Sequence, residues 1–253
     1  MLDAERENPV CGDSYAKVFM SEEGIRIFEP FKEEVNPNAG NVARHRVIDD
    51  LLREELSTNP DLQIVIIGAG FDSRAYRLPG GIWIELDEPQ IIQYKNQRLM
   101  VSDCKNQLQR IPIDFSNDSL ADKLAPYSGS QHVIVVIEGV FMYLSTTQIT
   151  QLLKTLQQLF PVHRLFCDLM KRSFFVKYSR PIHEKIVGLG ATFKDIVDNP
   201  KEVFLENGYR HIETISIVEK VSEFGPVKIP KLMLKYFLRT LHKGYCIVAF
   251  ETQ

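Results

Sequence analysis

The sequence has few features that would mark a membrane, metal or disulfide protein. No apolar run approaches the roughly 18 residues that a membrane-spanning helix needs, and the densest, Val133–Ile137, has the length of a strand. The cysteines form no CxxC pair and the histidines no HxxxH spacing, which argues against a zinc site. The charged N-terminus lacks the apolar core of a signal peptide. We therefore expect a cytoplasmic protein with no membrane partner and with buried thiols.

Neither sign of charge dominates. Thirty basic and 33 acidic side chains give a formal net charge of −3. A protein that mainly binds nucleic acid usually carries a basic surplus, so we expect no nucleic-acid partner. The 253 residues contain no repeat or Gly/Ser-rich linker, and 44% of them are hydrophobic. This composition suits a single domain over residues 1–253.

Seven short apolar runs, most of them separated by segments of helical spacing, predict the fold class. Continuous apolar runs are typical of parallel strands that are covered by helices on both faces. Their alternation with helices predicts an α/β protein with a doubly wound, Rossmann-like sheet of about seven mostly parallel strands. The runs are Gln63–Ile67, Ile82–Leu86, Arg110–Ile113, His132–Ile137, Leu165–Leu169, Ile212–Val218 and Tyr245–Phe250. The helical segments include Pro89–Leu99, Leu120–Leu124, Thr146–Phe160 and Lys231–Leu241.

Two segments lie outside this alternation. Residues 1–40 are polar and predict one or two N-terminal helices, with turns at Glu29-Pro30 and Asn36–Gly40 before a helix over Asn41–Leu56. Residues 171–207 are longer than a simple crossover needs. We expect both segments to form a cap or lid over the carboxyl ends of the strands.

A glycine turn and an acid follow the first two strands, where doubly wound sheets bind their ligands. The glycines of Gly68-Ala69-Gly70 let the backbone turn tightly and approach a ligand, although a turn without a ligand uses the same residues. The full GxGxxG fingerprint would need glycine where Ser73 stands. Asp87 comes 19 positions after Gly68, near the spacing at which a carboxylate accepts both ribose hydroxyls. A solvated strand-end acid is the alternative, but the turn and the acid together favour a nucleoside-containing cofactor.

Acids also follow the third and fourth strands. Asp114 could hydrogen-bond an adenine amino group while Phe115 packs on the base, and a helix N-cap is an equally good interpretation of Asp114. Glu138 follows five apolar residues, where a carboxylate without a partner is costly to bury. We therefore expect Glu138 to meet a ligand or an arginine such as Arg44.

From about residue 40 to the end, these motifs occur in an order that resembles the leucine carboxyl methyltransferase family of S-adenosylmethionine-dependent enzymes. The glycine motif and the segment from Glu138 to Leu144 are its most specific parts. The matching pieces are Ala43–Arg46, Ile67–Leu78, Glu85–Pro89, Asp114-Phe115, Glu138–Leu144, Asn207–Tyr209 and His242–Cys246.

The resemblance implies S-adenosylmethionine as the cofactor and a last strand that runs antiparallel. It implies that a set of residues contacts the cofactor and that Tyr143 lies near the methyl group, where it orients the acceptor. The implied contacts are Arg44 with the methionine carboxylate, Gly68, Ala69 and Gly70 with the cofactor, Asp87 with the ribose, Asp114 and Phe115 with adenine, and Glu138 on the strand-four side.

The reaction that the resemblance implies asks little of side chains. Methyl transfer from a sulfonium is an in-line displacement, for which a carboxylate needs alignment and a dry pocket but no general base. No His-Asp pair is conspicuous, so we expect metal-free O-methylation of a carboxylate on a small molecule or peptide terminus. A nicotinamide-dependent oxidoreductase is one alternative, although Ser73 and the lack of a Tyr-xxx-Lys pair count against it. A catalytically silent S-adenosylmethionine-binding protein is the other.

Overall fold

The computed structural model describes residues 3–129, 132–225 and 228–252. Residues 1, 2, 130, 131, 226, 227 and 253 belong to the predicted domain and lie outside the described residues. The strands that the structure describes form one sheet of seven. They are β1 (Gln63–Ile67), β2 (Ile82–Asp87), β3 (Gln107–Pro112), β4 (Val133–Ile137), β5 (His163–Met170), β6 (Tyr209–Ser216) and β7 (Tyr245–Thr252).

The strands are arranged in the order β3-β2-β1-β4-β5-β7-β6. The first five pair in parallel, whereas β7 is antiparallel to both of its neighbours. The predicted doubly wound sheet of seven mostly parallel strands, with the last strand antiparallel, is therefore confirmed. The chain order reverses between β1 and β4, and a crevice at the carboxyl ends of such strands is where open α/β sheets bind ligands.

Helices pack on both faces of the sheet. The α-helices are α1 (Glu22–Phe28), α2 (Val35–Thr58), α3 (Arg74–Arg77), α4 (Pro89–Arg98), α5 (Leu120–Leu124), α6 (Thr146–Leu159), α7 (Arg172–Phe174), α8 (Arg180–Gly188), α9 (Glu202–Glu206), α10 (Ile217–Phe224), α11 (Lys231–Tyr236) and α12 (Arg239–Gly244). Short 3-10 helices cover Ala16–Phe19, Glu29–Phe31, Val101–Asp103, Ala125–Tyr127 and Phe141–Tyr143, and a π-helix covers Phe175–Ser179. No helix in the described ranges is both long and apolar enough to cross a membrane.

The alternation of side chains along β1 explains why the strand reads as a continuous apolar run. Ile64 and Ile66 belong to one core cluster with residues of α2, whereas Val65 and Ile67 belong to a second cluster with residues of α6. Successive side chains of a strand point to opposite faces, so a sheet covered on both faces needs apolar residues at every position.

Several predicted boundaries are wrong. The physical reason is clear at the start of α2 and at the end of β6. The Asn36–Gly40 stretch was predicted as a turn and instead lies in α2, because Pro37 occupies the first helical turn, where its missing N–H is not needed. The predicted strand Ile212–Val218 ends at Ser216, whose hydroxyl accepts the Glu219 N–H at 3.2 Å and caps α10.

Candidate functional site

The turn after β1 brings two glycines to the carboxyl edge of the sheet. The N–H groups of Gly68 and Ala69 both donate to the Leu86 carbonyl at 3.0 Å, which ties the turn to β2. Gly68 has φ +71°, and a Cβ there would lie 2.5 Å from Val140 Cγ2, so only glycine fits. Gly70 has φ +48°, and no described atom lies within 4 Å of the Cβ position. The backbone of Gly70 therefore faces open space that a ligand can approach.

Asp87 ends β2 beside this turn and is half-buried. Its Oδ2 accepts the Gly70 N–H at 2.5 Å, and its Oδ1 accepts the Glu88 N–H at 2.7 Å. A carboxylate has about four lone-pair sites, so two backbone donors leave capacity for two more hydrogen bonds. The side chain is held in place and can still accept the hydrogens of a vicinal diol.

Asp114 and Phe115 follow β3, at the same edge of the sheet. Asn117 Nδ2 donates to Asp114 Oδ2 at 2.7 Å and the Ser116 N–H donates to Oδ1 at 2.8 Å, and these bonds lower the pKa of Asp114. Ser119, not Asp114, caps α5, so the N-cap interpretation of Asp114 is wrong. Phe115 is 44% exposed, which leaves its ring available to a ligand.

Glu138 follows β4 and meets the arginine that the sequence analysis named. Arg44 Nε donates to Oε1 at 2.9 Å, Arg74 Nη2 donates to Oε2 at 2.8 Å, and His45 Nδ1 lies 3.3 Å from the same Oε2. Burial alone would raise the pKa of Glu138, but Arg74, His45 and Arg44 lower it well below its usual value. Glu138 is thus a fixed anion that orients Arg44.

The remaining nitrogens of Arg44 have different surroundings. Nη1 donates to the Tyr245 hydroxyl at 2.6 Å and lies 3.4 Å from Asp168 Oδ2, while the Tyr245 hydroxyl donates to that oxygen at 2.7 Å. Nη2 lies 3.2 Å from the position that a Cβ on Gly139 would take and makes no hydrogen bond within the described residues. Two N–H bonds of Arg44 are therefore available, and guanidinium N–H groups bind carboxylates well.

Sequence analysis missed Asp168 and Tyr245 as parts of this site. Asp168 is fully buried, and its Oδ1 accepts the Gly139 N–H at 2.5 Å, so it holds both Gly139 and Arg44. An acid inside the apolar run Leu165–Leu169 is the same signal that singled out Glu138. Tyr245 begins a strand and carries no comparable signal, because tyrosine is common in strands.

A buried acid on α2 supports the site from beneath. Asp49 Oδ1 accepts from Arg74 Nε at 2.7 Å, and Oδ2 accepts from Arg77 Nη1 at 2.6 Å. Burial raises the pKa of Asp49, but Arg74, Arg77 and His45 lower it to about 2. His45 and Asp49 form one cluster of metal-ligand type with Cys11. The two guanidinium groups already bind Asp49, and their positive charge opposes a cation there.

We expect Asp49 to make stability fall in acid. Its folded pKa of about 2 lies below the usual 3.8, so its contribution of about 2 kcal/mol is complete above pH 3.8 and is lost as the pH falls through 2. Urea unfolding of wild type and Asp49→Asn should therefore show a free-energy difference that shrinks between pH 5 and pH 2.5.

The matched control is Asp50→Asn on the same helix, whose ion pairs with Arg46 and Arg53 are at the surface. It should change stability by less than about 0.5 kcal/mol. A wild-type to Asp49→Asn difference that is constant with pH would contradict the linkage.

A cavity of about 470 Å³ lies beside Arg44 on the face of the sheet that α2 covers. Its walls come from the first turns of α2, the Phe141–Tyr143 helix, α8 and α10. Tyr143 lines the cavity and packs edge-on against Phe193, with ring centroids 5.2 Å apart. Burial raises the pKa of Tyr143, so its hydroxyl remains a hydrogen-bond donor at neutral pH.

The chain resembles known proteins in sequence and in fold. The sequence model for leucine carboxyl methyltransferase matches residues 1–157. A Mycolicibacterium smegmatis protein, named as a candidate S-adenosyl-L-methionine-dependent methyltransferase, is 30% identical over 160 residues, which cover 56% of this chain and 54% of that protein. The chain spans about half the length of the curated relatives that it matches.

Two solved structures share the fold at low sequence identity. A DUF574 family protein from Streptomyces avermitilis is 12% identical with a TM-score of 0.59, and the match covers 94% of this chain and 95% of that one. A SAM-dependent methyltransferase from Anabaena variabilis is 14% identical with a TM-score of 0.52, and the match covers 84% and 86%. The family model covers more than half of the 253 residues. This chain therefore belongs to the leucine carboxyl methyltransferase family.

Proposed function

We propose that the protein is an S-adenosylmethionine-dependent methyltransferase that methylates a carboxylate oxygen. The observation that carries this proposal is the set of unused binding groups at the carboxyl ends of β1, β2 and β4. They are the open backbone at Gly70, the spare acceptor sites of Asp87 and the free N–H groups of Arg44. These groups match the ribose hydroxyls and the amino-acid carboxylate of S-adenosylmethionine, and the family membership supports the same cofactor.

In this proposal each residue at the strand ends has one task. Asp87 accepts the ribose hydroxyl hydrogens, and Arg44 Nη2 donates to the amino-acid carboxylate. Asp114 and Phe115 bind the adenine, while Glu138 keeps Arg44 in position through its 2.9 Å bond. Gly68, Ala69 and Gly70 let the backbone approach the cofactor. When bound, the cofactor supplies an electrophilic methyl group on a sulfonium.

On the acceptor side, the chain binds, orients and excludes water. A carboxylate is ionised at pH 7, so alignment and desolvation are sufficient for transfer. Tyr143 donates a hydrogen bond to the acceptor, which fixes one oxygen. Glu138 and Asp168 are the acids nearest to Arg44 and are both engaged by it, so neither is free to act as a general base. This occupation supports a carboxylate acceptor over an alcohol.

The methyl group should enter a base-labile product. We expect methyl-labelled S-adenosylmethionine, incubated with the protein and a panel of monocarboxylic acids, to yield a methyl ester that releases labelled methanol in mild alkali. Protein carrying Asp87→Ala is the control, because it keeps the acceptor side and lacks the ribose contact. A labelled product that survives alkali would move the acceptor to a hydroxyl, a phenol or a nitrogen.

We further propose that the segment 171–207 and residues 1–40 cap the site within one domain of residues 1–253. Asn36 and Pro37 of α2 line the cavity, as do Ile182 and Phe193 of the second segment, which supports this arrangement. Trypsin should cut after Lys177 and Lys185 several-fold more slowly when S-adenosylhomocysteine is bound. Cleavage after the exposed Lys105, at the opposite end of the strands, serves as the control. Equal rates at Lys177 with and without the ligand would contradict a closing cap.

A further inference from the structure

The cavity beside Arg44 has the size of a small-molecule site. Its volume of about 470 Å³ lies within the range of roughly 300–1,000 Å³ that is usual for such sites. It adjoins Gly139 and Arg44, so it begins where the strand-end groups of the proposed cofactor site finish. A molecule in this cavity would therefore lie next to the transferred methyl group.

The two long walls of the cavity are apolar. Helix α8 and the loop after it contribute Ile182, Ile186 and Phe193, and α10 contributes Ile217, Val218 and Val221. An apolar body between these walls would be stabilised by about 25 cal/mol for each Å² removed from water. The walls thus select for hydrocarbon or aromatic surface.

The end of the cavity near β4 and β5 differs from its walls. Arg44 is the sole charged side chain in the part of the lining that the structure describes, and it is positive. The hydroxyl of Tyr245, which also lines the cavity, accepts from Arg44 at 2.6 Å. Tyr143 lines the same cavity as Arg44. Glu138 and Asp168 pair with Arg44, and in the proposed function its free N–H groups bind the cofactor, so the Tyr143 hydroxyl is the donor at this end that is left for the acceptor. This end therefore suits one small group that accepts a hydrogen bond, such as a carboxylate oxygen.

We propose that the cavity binds the methyl acceptor, and that this acceptor is a small apolar molecule with a single carboxylate. The inference rests on the proposed function. The apolar body lies between α8 and α10, and the carboxylate lies at Tyr143 beside Arg44. In the transfer, a carboxylate oxygen forms a bond to the methyl carbon while the carbon–sulfur bond breaks and leaves its electron pair on sulfur. No proton moves, and the products are a methyl ester and S-adenosylhomocysteine.

A peptide terminus fits this cavity less well. Each peptide unit brings an N–H and a carbonyl group, and a buried group of this kind without a partner costs about 1–3 kcal/mol. Apolar side chains outnumber polar ones in the described lining, where those able to pair with such groups include Asn36, Asn41, Tyr178, Ser179 and Ser222. The lining therefore favours an apolar acid over a peptide.

The test uses 8-anilinonaphthalene-1-sulfonate as a fluorescent probe with an apolar body and one anionic group, and decanoate as the competitor. We expect one probe molecule to bind per chain and decanoate to displace it. Ile186→Asp should weaken probe binding at least tenfold, because it places a charge in the α8 wall. Val187→Asp is the matched control, because Val187 is the next residue of α8, is 48% exposed and lies outside the lining. It should change binding less than twofold.

Two further measurements separate the possible failures. Val218→Asp places the charge in the opposite wall and should weaken probe binding to a similar degree, which guards against a folding defect in one variant. Calorimetry with S-adenosylhomocysteine tests the proposed function independently. The variants Ile186→Asp, Val187→Asp and Val218→Asp should all bind S-adenosylhomocysteine like wild type. Failure of wild type to bind it would overturn methyl transfer, and decanoate displacement would then report on the cavity alone. Unchanged probe binding in both wall variants would overturn the inference. So would displacement by a leucine-terminated hexapeptide but not by decanoate.

Discussion

Replacing Asp87 by alanine should weaken the affinity for S-adenosylmethionine by roughly 30- to 1,000-fold, or about 2–4 kcal/mol. In the proposed cofactor site, the variant loses two hydrogen bonds from ribose hydroxyls to a charged acceptor. It also frees the Gly70 N–H, which Asp87 Oδ2 holds at 2.5 Å, so the glycine turn loses one of its hydrogen bonds to β2 and keeps those of Gly68 and Ala69 to the Leu86 carbonyl. Isothermal titration with S-adenosylmethionine and with S-adenosylhomocysteine measures the loss directly.

Two variants make the Asp87 result specific. Asp87→Asn keeps one acceptor oxygen of similar shape and should lose less affinity than Asp87→Ala. Asp122→Ala removes an exposed acid in the first turn of α5 and should change affinity less than threefold. If Asp87→Ala binds the cofactor like wild type, Asp87 serves only to hold the turn after β1.

Replacing Glu138 by alanine should lower the free energy of unfolding by about 3–5 kcal/mol. Glu138 pairs with Arg44 and with Arg74, whose side chain is fully buried. A hydrophobic replacement leaves part of this positive charge uncompensated in a medium where it cannot be solvated. Urea unfolding at neutral pH measures the loss.

The size of the loss distinguishes a structural anion from a ligand contact. Glu138→Gln keeps the shape and one acceptor and should cost less than Glu138→Ala. Glu223→Ala, which removes a surface pair with Lys220, should cost less than about 0.5 kcal/mol. A loss below 1 kcal/mol for Glu138→Ala would mean that Arg44 and Arg74 do not need this partner in the folded state. Glu138 would then be available to a ligand.

Local features of the sequence determined the elements and the edge of the sheet at which the site lies. The apolar run Gln63–Ile67 predicted β1 without error, since a strand covered on both faces needs apolar residues at every position. Ser145 and Gln148 form a capping box, so α6 begins at Thr146 as predicted. Asp87 ends one parallel strand, Asp114 and Glu138 follow two others, and the carboxyl ends of parallel strands meet at one edge of the sheet. Their common location was therefore predictable from chain order.

Boundaries that depend on tertiary context were less predictable. The apolar residues Ile217 and Val218 extend the pattern of β6, yet they begin α10, because the helix packs its apolar face against α2 and lines the cavity. The sequence pattern alone does not distinguish these outcomes, since a short apolar run suits either a strand or a buried helix.

The partners of the charged groups were decided by the tertiary structure. The sequence showed that Glu138 needs a partner, because a lone buried carboxylate is costly. The pairing with Arg44 itself forms only in the folded chain, since the two residues are 94 positions apart. The way α2 crosses the sheet decides that Asp168 joins this pair. It also decides that Asp49 binds Arg74 and Arg77. No local propensity encodes that crossing, because it results from packing between elements distant along the chain. The same packing forms the cavity, whose lining residues come from segments spread along the chain between Asn36 and Tyr245.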